Sequence, residues 1–101
     1  MKVFGNIAIN ESLFVSGYRD KDVLSLVGYG EAWVTLEGED ASAVTNHLLS
    51  MAHWRLIDTT LINLNAVCFA ERINAIHLVM AGGNSITIDC TTKNEKLIFG
   101  E

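Results

Sequence analysis

Leu61 to Thr91 reads LINLNAVCFAERINAIHLVMAGGNSITIDCT and holds the densest strand signal in the chain. Three β-branched and apolar runs are separated by ERIN (71–74) and AGGN (81–84). β-branched residues suit a pleated surface, and Gly and Asn supply the positive φ of tight hairpins. Counting in twos puts Ile62, Leu64, Ala66, Cys68 and Ala70 on one side, joined by Ile76, Leu78 and Met80 of the next strand and Ile86, Ile88 and Cys90 of the third. That side is the expected core face, and it takes in both cysteines. The other side carries Asn63, Asn65, Val67, Phe69, His77, Val79, Thr87 and Asp89. It is too apolar for a solvated face and too polar for a second core, so it reads as a contact surface for another subunit or a ligand.

Upstream, Val3 to Ile9 and Ser12 to Ser16 form two short apolar runs around Asn10-Glu11, the pattern of a hairpin. GYRDKD (17–22) is a charged turn, and Val23 to Leu36 extends as one long strand with a bulge or bend at Gly28-Tyr29-Gly30. Gly38-Glu39-Asp40 then opens a helix, because acidic side chains cap free N–H groups and favour the positive end of the helix dipole. Val44, Leu48, Met51 and Ala52 form its apolar stripe, which predicts a helix over about 39–53. Downstream, Lys93 to Phe99 forms a short last helix or an edge segment.

No proline or low-complexity tract divides the 101 residues, so one domain over 1–101 is expected. Half of the residues are hydrophobic and only 19% are charged, more apolar surface than a small monomer easily hides. Self-association into a homo-oligomer is therefore expected. No apolar run is long enough for a membrane span and the N-terminus lacks an export signal, which points to the cytoplasm. The net charge of −5, with seven Lys and Arg scattered along the chain, argues against nucleic acid as a partner.

The chemistry-bearing residues do not assemble into a catalytic or metal motif in the sequence. His47 and His53 fall on different sides of a helix and His77 on a strand, neither cysteine sits in a CxxC pair, and Gly28-Tyr29-Gly30 lacks the third glycine of a phosphate loop. No cofactor or metal is expected. Tyr18, Arg19, Trp54, Arg55 and Arg72 are the other candidate binding residues beside Asn63, Asn65, Phe69 and His77. Aromatic and arginine side chains anchor interfaces and grip planar anionic ligands, provided the fold brings them together.

Ile62-Asn63-Leu64-Asn65-Ala66-Val67, then Ala70-Glu71 and the alternating run past Gly82-Gly83 to Ile86-Thr87-Ile88, resembles the small β-units of FlbD-type flagellar proteins and LytTR domains, in which an I-N-x-x-x-I/V strand precedes a hairpin. The resemblance covers about a third of the chain and none of its first sixty residues. The chain also lacks the basic DNA-reading residues of the regulatory family, so no function is carried over from it.

The expected architecture is α+β: an antiparallel, strongly curved sheet of about six strands with one main α-helix packed on one face. The expected function is that of a small acidic, non-enzymatic interaction protein, homo-oligomeric and cytoplasmic, that occupies a partner-protein or ligand surface in the manner of a phage or mobile-element inhibitor. Two alternatives stand beside it. One is a sponge holding a nucleotide-like, small anionic molecule between subunits, and the other a small enzyme with a site shared across subunits that uses His77 with Asp89 or Asn63.

Overall fold

The computed structural model describes residues 1–30 and 32–100. These form ten strands in three antiparallel sheets and two helices, an α+β fold. β1 (Lys2–Phe4) and β2 (Ile7–Ile9) make a small hairpin. A five-stranded sheet follows, in the order β5-β4-β3-β7-β6, from β3 (Phe14–Asp20), β4 (Val23–Gly28), β5 (Trp33–Glu37), β6 (Trp54–Ile57) and β7 (Thr60–Asn63). The third sheet, ordered β10-β9-β8, comprises β8 (Val67–Ile73), β9 (Ala75–Met80) and β10 (Ser85–Asp89). The helices are α1 (Gly38–Leu49) and α2 (Thr92–Phe99).

The five-stranded sheet is the middle layer. Leu24, Leu26, Trp54 and Leu61 face one way and pack with Ile9 under Ala41, Val44 and Leu48 of α1. Val15, Ile57 and Ile62 face the other way and pack with Ile76, Leu78, Met80 and Ile88 of the three-stranded sheet, with Leu97, Ile98 and Phe99 of α2 against them. Burying a side chain of this size is worth about 2 kcal/mol, so both faces hold the fold together. Gly17 is where side-chain bulk is excluded, since a Cβ there would lie 2.9 Å from Leu26 Cδ2 and 3.5 Å from Leu61 Cδ1.

The single curved sheet of about six strands is thus replaced by three sheets. The physical reason lies at Leu64–Ala66, a 3-10 turn that lifts the chain out of β7 and into a different sheet. Asn63, 3% exposed, makes that crossing rigid: its side chain accepts from Asn65 N at 3.0 Å and donates to the Phe14 carbonyl at 2.9 Å. Alternation tells which face a residue occupies and not which sheet its strand joins.

The same turn and a bulge between Val67 and Phe69 break the period-two count. Val67 pairs with Met80 and Phe69 with Val79, which leaves Cys68 as the extra residue, exposed rather than in the core. Cys90 lies beyond the end of β10 and is exposed as well. The expected long strand over 23–36 is a hairpin of β4 and β5, with Gly30 at φ 68 in its loop; Glu31, inside that run, lies outside the described residues. α1 stops at Leu49, short of His53, because the chain turns so that Trp54 N donates to the Met51 carbonyl and enters β6. The segment left open as helix or edge is α2, capped by the Thr91 side chain accepting from Asn94 N and closed by Gly100 at φ 76.

Candidate functional site

One group of hairpin tips is acidic because of where the turns fall. Gly38 N donates to the Asp22 carbonyl and Arg19 N to the Thr59 carbonyl, so the β3–β4 tip, the β6–β7 tip and the start of α1 sit together. That end carries Asp20, Asp22, Glu37, Glu39, Asp40 and Asp58. Lys21 and Asp58 hold its tips at φ 54 and 57.

Arg19 shares that end but is spent on structure. Its Nη1 donates to the Ala41 carbonyl at 3.0 Å and to Thr45 Oγ1 at 2.7 Å, its Nη2 to Ser42 Oγ at 3.2 Å and its Nε to the Lys21 carbonyl at 2.7 Å. It fastens the middle sheet to α1. Arg55 likewise donates to the carbonyls of Ala52 and Trp54, closing the turn before β6. Trp54 is 1% exposed and part of the α1-side core. Tyr18 is exposed on β3, opposite Ser25 and Thr60. The five aromatic and arginine candidates do not converge, since Arg19 reaches α1 while Arg72 belongs to the other side of the sheet.

Arg72 lies over the Phe99 ring, with Cζ 4.5 Å from the ring centroid. This cation–π contact brings it to α2, whose exposed face carries Lys93 and Lys96. Three of the seven Lys and Arg residues in the chain therefore gather at one small helix of about 12 Å. The acid of α2, Glu95, has a local partner at the surface: Cys90 Sγ donates to Glu95 Oε1 at 3.1 Å. That hydrogen bond, then partial desolvation and the Glu95 charge, push the Cys90 thiol above its usual range, and nearby Arg72 pulls the other way. Asn94 is 4% exposed and donates to the Asp89 carbonyl at 3.0 Å, tying the helix to the end of β10.

The mixed face expected around Asn63, Asn65, Phe69 and His77 resolves differently. Asn63 points inward and Asn65 is exposed in the 3-10 turn. Phe69 at 52% exposure and Val79 at 42% pair on the outer face of the three-stranded sheet, where His77 stands between Glu71 and Thr87, its Nδ1 3.3 Å from Thr87 Oγ1. Among the described residues no group of three or more His, Cys, Asp or Glu is arranged to hold a metal ion, and no helix is long and apolar enough to cross a membrane. Lys93 and Lys96 are the residues that sequence reasoning passed over. Their spacing of three on one helical face was the available signal, and their meeting with Arg72 across twenty residues of chain was not.

No family model matches the chain, and no curated protein matches it. Among solved structures the fold is similar to the LytTr DNA-binding domain of a putative methyl-accepting/DNA response regulator from Bacillus cereus, with a TM-score of 0.68 at 13% identity, over 94% of this chain and 88% of that one. The fold is thus one that a DNA-binding domain uses. This corrects the expectation that nucleic acid is an unlikely partner, and with it the picture of a self-associating phage-type inhibitor or ligand sponge. Folding brings Arg72, which lies far from α2 in sequence, onto that helix beside Lys93 and Lys96, with Glu71, Asp89 and Glu95 in the same or adjoining elements, and a count of cations along the chain does not show this.

Proposed function

We propose that this chain is a non-enzymatic domain that binds duplex DNA through α2 and the adjoining β8–β9 tip, in a cytoplasmic setting. The likeness of the whole fold to a DNA-binding domain carries the reading, and the gathering of Arg72, Lys93 and Lys96 gives it a location. Lys and Arg side chains position a protein on the phosphates, while uncharged polar groups read base edges. Exposed Thr91, Thr92 and Asn74 stand beside the cations in that role.

The net charge of −5 shapes the mode of binding. At long range the net charge repels the duplex, so affinity comes from close contacts at α2. Selection from a randomised duplex pool, followed by fluorescence anisotropy on the enriched sequence, tests the proposal. Saturable binding is expected at about 50 mM salt, and contact with two or three phosphates gives a slope of log K against log salt of about −2 to −3. An unenriched pool, or no binding at that salt, overturns the reading.

A further inference from the structure

The five-stranded sheet ends on β5, and hydrogen bonding fixes which of its backbone groups are unpaired. Gly28 N donates to the Ala32 carbonyl and Gly38 N to the Asp22 carbonyl, at either end of the β4–β5 ladder. In an antiparallel ladder the bonded pairs alternate, so Leu26 with Val34 and Leu24 with Leu36 are the bonded pairs between them. Trp33, Thr35 and Glu37 therefore turn their N–H and C=O groups away from β4, to an edge with which no described strand pairs. All three residues are exposed, and Trp33 is 68% exposed.

The other edges of the two larger sheets are each interrupted at one point. β8 carries the Cys68 bulge, the end of β10 is held by Asn94 donating to Asp89, and the start of β6 is held by Trp54 N donating to Met51. Along β5 there is no bulge and no proline. Beside it, on the α1 side of the sheet, runs an open apolar groove of about 460 Å³ lined by Ile7, Ile9, Leu13, Phe14, Val34 and Leu36. At its Leu36 end the chain runs on into Glu37 and then Glu39 and Asp40 of the first turn of α1.

We infer that β5 takes an extended segment of a partner protein as an added antiparallel strand, with apolar side chains alternating into the β2–β5 groove and Lys or Arg in its amino-terminal half. The backbone edge supplies the affinity and the groove reads every second side chain, as in other strand-addition complexes. Antiparallel entry puts the start of the segment beside Glu37, which sets the position of the cations. The site lies away from α2 and does not depend on DNA.

Trp33 provides the readout, because the other tryptophan, Trp54, is 1% exposed and already shielded. The probe is a blocked peptide of about seven residues, close to usual strand length, alternating valine with threonine and carrying two lysines in its amino-terminal half. Titration into the full chain is expected to shift Trp33 emission saturably to the blue. Thr35→Pro removes an N–H that β4 does not use, together with the hydroxyl that accepts from Trp33 Nε1 at 3.2 Å; compared with Thr35→Val, which lacks the same hydroxyl, it keeps its circular dichroism and melting temperature and binds at least about tenfold more weakly. A peptide with glutamate in place of the lysines binds several-fold more weakly, most clearly at low salt. Unchanged Trp33 emission at millimolar peptide, equal binding by a folded Thr35→Pro chain, or indifference to the charge reversal overturns the proposal.

Discussion

α1 and α2 pack on the two different cores that the middle sheet separates, and they do different work. α1 buries Ala41, Val44, Thr45 and Leu48 and is clamped by four hydrogen bonds from the Arg19 and Thr45 side chains, counting only those that reach or lie within the helix. α2 buries only Asn94 and leans on the core through Leu97, Ile98 and Phe99, leaving Lys93 and Lys96 to solvent. Acidic residues crowd the start of the first helix and cations the face of the second. A helix fully engaged in packing has little surface left for recognition, and here the cationic surface is the one on the less buried helix.

The largest test of that contrast asks whether the two cores are one cooperative unit. Leu48→Ala under α1 and Leu78→Ala on the α2 side each remove a fully buried side chain and are expected to cost about 3 kcal/mol. Urea unfolding followed by circular dichroism and by Trp54 fluorescence should give coincident transitions for both variants. Separate transitions would divide the molecule at the middle sheet.

Next in size is the clamp. Arg19→Met keeps an apolar stem and deletes the contacts to Ala41, Ser42 and Thr45, for an expected loss of about 2 kcal/mol measured by thermal melting. DNA affinity, compared where both proteins are folded, should stay unchanged, because the contrast assigns Arg19 to structure.

Charge reversal at α2 reverses that pattern. Lys93→Glu with Lys96→Glu should weaken DNA binding by about tenfold or more while moving stability by no more than about 0.5 kcal/mol, as exposed substitutions do. Loss of stability with retained affinity would exchange the roles of the two helices.

The smallest effect concerns Cys90. Its thiol is held protonated by the Glu95 carboxylate, so Glu95→Gln should lower the thiol pKa and raise the rate of iodoacetamide alkylation at pH 8 by a few-fold, seen by mass mapping of Cys90. A raised thiol pKa favours the folded state at pH below the unfolded value and loses that contribution as pH rises through the folded one, so the hydrogen bond weakens in alkali.

Much of the fold was legible. The Gly82-Gly83 hairpin, the opening of α1 at Gly38 and the core positions Ile76, Leu78, Met80 and Ile88 all followed from turn chemistry and periodicity. The division into sheets was not, because a 3-10 turn of three residues leaves no compositional mark and Asn63 reads as polar surface until Phe14 is placed beside it. The bulge at Cys68 was hidden for a similar reason, since one extra residue changes parity without changing composition. The charge at α2 depended on Arg72 meeting Phe99 across two elements, which no local window contains.

One further consequence follows from β3, whose two neighbours sit at very different distances along the chain. It pairs with β4 through the tight turn at Lys21 and with β7 from Ser16 to Ile62, with all of α1 inside the loop so closed. β5-β4-β3 and β6-β7 can each form from local turns, and the β3–β7 seam then joins them. Closing a long loop delays folding far more than it lowers final stability. Lengthening the turn at 50–53 should accordingly slow refolding in stopped-flow while costing only about 0.6 kcal/mol or less at equilibrium. The order in which this molecule assembles is set by the time its third strand waits for its seventh.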